Sequence, residues 1–169
     1  MKKEWMPIVG TKKDTLIQVA LEEFSNKGFE GVNISELATK ADMTTGAVYH
    51  HFGSKLTLYT VVRREMEQRI IDRMEGAAAL FTKTEEAMKA ALLSGLVFSA
   101  KQNMCRLMGE EQPLGMEDPI KDLLAELNIQ GELPIEIVSL SVWRSILMQM
   151  ADGQLTIDQG KQLIEWLFR

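Results

Sequence analysis

Three observations predict an all-α chain with an N-terminal three-helix head and a C-terminal helical body. Helix N-cap signals crowd at Asn33, Thr44 and Ser54, within about twenty residues. Apolar residues recur at i, i+4 wherever a run is long enough to judge, and no stretch alternates apolar and polar at the strand period. The expected division is 1–56 for the head and 57–169 for the body.

Each element has its own signals. The first helix is predicted from about Lys12 to Lys27, with Leu16, Ala20 and Phe24 as its core stripe. Gly28 follows where a left-handed C′ residue is wanted, and Phe29 is placed to touch Phe24 as in a Schellman ending. Asn33 with Glu36 three residues on is a capping box, and Val32 and Leu37 stand in staple register. That helix ends near Ala41. Thr44 opens the next, with Met43 and Val48 repeating the staple, and Ser54 caps a long helix from Lys55 to about Glu75. One further helix is expected over roughly Thr84–Met108, then a broken segment around Pro113, Gly115 and Pro119. A helix over Ile120–Asn128 and a connector over Gly131–Pro134 lead to a largely apolar helix reaching Ala151. Asp152-Gly153 ends it. Thr156 and Gln159 form a second capping box, opening a helix whose apolar face is Ile157, Gly160, Ile164 and Leu167.

Composition excludes several classes. Hydrophobic content of 46% and charged content of 25% are ordinary for a globular protein. The apolar run from Ala90 to Ala100 is interrupted by Ser94, Gly95 and Ser99, too short to span a bilayer, so no membrane is expected. The N-terminal MKKEWMPIVGTKKD does not read as a signal peptide, and a cytoplasmic protein is the default. Cys105 is the only cysteine, which rules out an internal disulfide and reads as a buried thiol. No cofactor is expected. The net charge of −5 is carried by residues 57–169, because residues 1–56 hold seven lysines and seven acids.

Two short helices joined by a turn of about four residues form a helix-turn-helix, whose second helix lies in the DNA major groove. Thr44, Tyr49 and His50 offer donors for phosphates or base edges, and Gly46 lets the backbone approach closely. Thr45 and Ala47 offer methyl groups that suit thymine, and Lys55 is placed for a phosphate. Lys12 and Lys13 add further charge. His50 and His51 are adjacent, so they cannot share a metal at i, i+4 spacing, and no metal site is expected.

The run Gly46-Ala47-Val48-Tyr49-His50-His51-Phe52-Gly53-Ser54-Lys55 resembles the signature of the TetR family of bacterial transcriptional regulators. The likeness extends over about Leu16 to Tyr59. It departs at Thr45, often lysine in the family, at Ala47, often a hydroxyl residue, at Asp42, commonly glycine, and at His51, often aromatic. With no Lys or Arg between Thr44 and Phe52, the strongest bidentate guanine contact is unavailable from this helix. An operator read through thymine methyls, phosphates and DNA shape is expected.

The resemblance implies a homodimeric repressor, binding a palindromic double-stranded operator and released by a small-molecule effector. It implies dimerisation through about residues 134–168, where Val138, Val142, Trp143, Ile146, Leu147 and Met150 carry much apolar surface and Ser141 and Ser145 permit close helix approach. For the effector, an apolar ligand is expected among Met66, Phe98, Met104, Trp143 and Leu147. Arg63, Arg106 and Arg144 are the cations available to an acidic one, though each reads first as a surface or salt-bridge residue. Two rivals compete. An enzyme lacks support: there is no Gly-x-Ser-x-Gly elbow, phosphate loop or His-Glu-x-x-His pair. A helical sensor with weakened DNA binding draws support from the departures at positions 45 and 47.

Overall fold

The computed structural model describes residues 9–169, which contain nine α-helices and no strand. The first part of the charged stretch read against a signal peptide lies outside them. The chain forms two compact units, Met1–Glu65 and Met66–Arg169. The division falls nine residues beyond the expected 56/57 boundary, inside one continuous helix.

The head holds α1 (Lys12–Gly31), α2 (Ile34–Lys40), α3 (Thr45–Phe52) and the start of α4 (Lys55–Ala78). Leu16, Ala20 and Phe24 are fully buried, as their i, i+4 spacing requires, and Leu37, Val48, Leu58 and Tyr59 close the core with them. Tyr59 packs edge-on against Phe24 and Phe29, with ring centroids at 5.1 and 5.0 Å. Gly28 explains how Phe29 gets there. Its φ of 72° was expected, but its ψ of 177° is extended rather than left-handed helical, a conformation confined to glycine. The chain kinks at Gly28 and resumes for one turn to Gly31, so α1 ends later than expected.

The body holds the rest of α4, then α5 (Thr84–Lys101), α6 (Cys105–Gly109), α7 (Pro119–Leu127), α8 (Ile135–Ala151) and α9 (Ile157–Leu167). The single helix expected over Thr84–Met108 is two. Asn103 takes φ 54°, Asn103 N–H donates to Ala100 O and Met104 N–H to Ser99 O, a Schellman ending with Asn at C′. Thr156 and Gln159 make the expected reciprocal capping box. Met88, Leu92, Leu96, Leu107, Met108, Ile120, Leu124, Trp143 and Leu147 form the core. Gly160 lets α9 come close: a Cβ there would stand 3.1 Å from both Ile146 Cγ2 and Leu96 Cδ1.

Candidate nucleic-acid interface

The turn between α2 and α3 is built by side chains and backbone together. Asn33 accepts from Ser35 N–H at 2.8 Å and Glu36 N–H at 3.3 Å, which starts α2. The Glu36 carboxylate reaches Lys27 Nζ at 3.4 Å. Asp42 stops α2 with φ 53°, while Asp42 N–H donates to Thr39 O and Met43 N–H to Ala38 O. Asp thus fills the left-handed C′ position that glycine takes more readily. Thr44 then accepts from Ala47 N–H at 3.1 Å and begins α3.

Burial separates the two faces of α3. Val48 and Phe52 are in the core. Thr44, Gly46, Tyr49, His50 and His51 are exposed, and Thr45 and Ala47 are half-buried. Thr45 Oγ1 donates to Ser35 Oγ at 3.3 Å, leaving its methyl as the remaining feature of the side chain. Lys55 is held rather than free: its ammonium lies 4.7 Å from the Phe29 ring centroid and donates to Glu30 O at 3.4 Å. Lys12, Thr39, Asp42, Met43, Thr44 and Ala47 line one surface groove, so Asp42 places a carboxylate beside the start of α3.

One feature of the head escaped sequence reasoning. Glu23, on α1, has a side chain only 5% exposed and is paired with Lys27 Nζ at 2.9 Å and with Lys40 Nζ. The hydrogen bond from Lys40 holds the Glu23 carboxyl below its ordinary range; burial opposes this, and Lys27 adds to it. Lys27 is raised in turn, chiefly by its hydrogen bond to Glu23. Lys40 is the last residue of α2, so this cluster ties α1 to the end of the helix that precedes the turn. A glutamate three residues on from Ala20 and seven on from Leu16, both core positions, was the available signal, because that register points inward.

The five residues expected to line a ligand site are not gathered around one described groove. Met104, Trp143 and Leu147 are core, and Met66 is buried. Trp143 Nε1 donates to Leu92 O at 3.0 Å, which commits its one polar atom. Phe98 is half-buried, with the Arg73 guanidinium 4.2 Å from its ring centroid. The described groove of the body lies elsewhere, lined by residues that include Thr82, Lys83, Asn128, Gly131, Leu133 and Ile135. On α8, Ser139, Leu140, Trp143, Ile146 and Leu147 face inward, whereas Ile137, Val138, Ser141 and Ser145 are exposed. On α9, Ile157, Leu163 and Trp166 are exposed, Trp166 by 65%. Among the described residues no group of three or more His, Cys, Asp or Glu could hold a metal ion, and no helix is long and apolar enough to cross a membrane.

A capped helix-turn-helix on a helical body is the build of a DNA-binding transcriptional regulator, not of an enzyme. Residues 16–62 match the family described as bacterial regulatory proteins, tetR family. The repressor KstR2 of Mycolicibacterium smegmatis is 22% identical over 91% of this chain and 87% of its own. A TetR-like transcriptional regulator from Rhodococcus sp. RHA1 superposes with a TM-score of 0.71 at 19% identity, covering 96% of both chains. AibR, solved with isovaleryl coenzyme A and operator DNA, has a TM-score of 0.67 at 15% identity over 94% of this chain and 98% of its own. The head, over residues 16–62, is thus of the tetR type, and the fold of the whole chain is the one TetR-like regulators have.

Proposed function

We propose that the chain works in the cytoplasm as a homodimeric repressor that binds a palindromic operator and is released by a small-molecule effector. The observation that carries the dimer is the apolar surface left on the last two helices: Val138 is 58% and Trp166 65% exposed. Ser141 and Ser145 stand beside Val138 on α8, small enough for a second helix to come close. A C2 dimer presents two heads, which demands two half-sites a helical turn or a multiple apart.

In this reading Thr44, Gly46, Tyr49 and His50 face the major groove from the exposed side of α3, with Thr45 and Ala47 supplying methyls. Lys55, oriented by Phe29 and Glu30, meets a phosphate. The exposed hydroxyls, imidazole and backbone of α3 support this, and so does the match to the family over this segment. KstR2 is named a repressor, which supports the sign of regulation. AibR was solved with isovaleryl coenzyme A, which makes acyl coenzyme A thioesters the first effectors to try. Release is a population shift: the effector favours a spacing of the two heads that cannot engage both half-sites.

The test is footprinting on DNA flanking the gene, at stated salt, with sedimentation of the same preparation. A protected palindrome bound by a dimer is expected. A monomer protecting a single half-site would remove the dimer, and equal operator affinity with and without every effector tried would remove the switch.

A further inference from the structure

Arg144, on α8, has a side chain only 12% exposed and faces Asp118, itself 14% exposed. Asp118 Oδ2 lies 2.8 Å from Arg144 Nη2, close enough to neutralise its charge. Yet Nη2 and Nε are both buried without a hydrogen-bond partner, so the Asp118 oxygen is off the N–H directions. A guanidinium presents its donors as a planar fork, and the edge formed by Nε and one Nη matches two oxygens of a carboxylate or phosphate. Here that edge has the Asp118 carboxylate beside it but no aligned hydrogen-bond acceptor. Buried polar groups in folded proteins are nearly all hydrogen-bonded, so an orphaned edge marks a place for a ligand atom.

Asp118 has a second task. Its Oδ1 accepts from Lys121 N–H at 3.3 Å and caps α7, at the far end of the segment 110–118 that joins α6 to α7. The near end is anchored: at Gly109 a Cβ would stand only 3.1 Å from Arg144 O.

We propose that Arg144 is the anion-recognition residue of the body, taking the carboxylate or phosphate of an acidic effector on its Nε–Nη2 edge in exchange for Asp118. The exchange is one oxyanion for another, so the charge site needs little new volume. Asp118, once displaced, releases its end of the 110–118 segment while Gly109 stays packed. This rests on the effector-controlled reading above and narrows it to acidic ligands, whether the oxygens belong to a free acid or to the phosphates of a thioester.

The experiment is isothermal titration of the full chain with isovaleryl coenzyme A, isovalerate, coenzyme A and inorganic phosphate. It compares wild type with Arg144→Met, Arg144→Lys and Asp118→Asn, each checked for fold by circular dichroism and for operator binding without effector. At least one anion is expected to bind the wild type, about tenfold or more weaker in Arg144→Met, with partial recovery in Arg144→Lys. Asp118→Asn is expected to bind several-fold tighter, because Asn still caps α7 but no longer competes for the fork. Isovalerate binding alone identifies a carboxylate, and coenzyme A binding alone identifies a phosphate. Equal affinities in wild type and a folded Arg144→Met, or no binding of any of the four anions to Asp118→Asn, overturns the assignment. An anion that survives Arg144→Met and still weakens operator binding removes Arg144 but keeps the effector reading. One that binds through Arg144 without altering operator affinity keeps Arg144 and removes that reading.

Discussion

Replacing Glu23 separates stability from DNA binding in the head. Its carboxylate is 5% exposed, while its partners Lys27 and Lys40 are 37% and 51% exposed. Removing one member of a fully buried ion pair costs about 3–5 kcal/mol, because a charge is left stranded. Here the stranded charges are lysines that return to water, and exposed pairs contribute only about 0.2–1 kcal/mol each. Glu23→Gln therefore costs the two charge-assisted hydrogen bonds in discounted form, about 1–2 kcal/mol. Glu23→Leu removes the carboxylate's desolvation cost and fills the site with apolar atoms, so its stability stays within about 1 kcal/mol of wild type. Leu offers Lys40, the last residue of α2, no acceptor and Gln offers only a neutral amide oxygen, so both let the turn that aims α3 relax. Both are expected to bind operator several-fold more weakly.

The assay is urea unfolding of the full chain by far-UV circular dichroism, paired with operator titration at fixed salt. The pH dependence follows from the lowered pKa of Glu23. Such a group stabilises fully above its unfolded value, near the ordinary 4.5, and loses that contribution as pH falls through its depressed folded value. The gap between wild type and Glu23→Gln is thus constant from neutral pH down to about 5 and closes in more acid solution. Glu23→Gln as stable as wild type, or Glu23→Leu less stable than Glu23→Gln, would refute the energetic argument. Full operator affinity in Glu23→Leu would refute the positioning role.

Lys55→Ala and His50→Ala each remove one proposed phosphate or base-edge contact; for each phosphate lost, the slope of log K against log salt is expected to fall by about 0.9. Gly28→Ala forces a Cβ into φ 72°, ψ 177°, and is expected to lower the unfolding midpoint by the equivalent of about 1–3 kcal/mol. Trp166→Asp puts a charge on the exposed apolar face of α9 and is expected to sediment as a folded monomer with weakened operator binding. Burial pushes the Cys105 thiol up to about 11. Its alkylation by iodoacetamide is therefore expected to be slow at pH 8, where about one thiol in a thousand is ionised, and to accelerate about tenfold per pH unit up to 11.

What was legible in the sequence was local. Asn33, Thr44, Ser54 and Thr156 each accept from a backbone N–H two or three residues on, and the cap needs nothing else to form. Asp42 could be placed in the left-handed region for the same reason, since its neighbours alone decide the turn. Asn103 obeys the same rule, but an Asn inside a long helical pattern carries no flag that it is a stop, so in sequence α5 and α6 run on as one helix. Which side of a helix faces inward was legible only where polar residues marked the other side. Leu16, Ala20 and Phe24 stand out against such a background. On α8, Ile137 and Val138 are as apolar as Ile146 and Leu147, and only the partners of the folded body tell them apart.

Long-range polar pairing is a harder case, because it inverts what residue type suggests. Glu23 looks like a solvated position until Lys40 arrives from seventeen residues away. Arg144 looks like a surface cation until Asp118 and the tight α6–α8 approach at Gly109 enclose it. Burying either charge is unfavourable unless a specific counter-ion is positioned to meet it. A buried charge therefore encodes a tertiary constraint that an apolar core residue does not. In the head, the Glu23–Lys40 pair fastens the helix before the turn. In the body, Arg144 is met in charge by Asp118 but left without aligned hydrogen bonds, and that imbalance makes the 110–118 segment open to displacement.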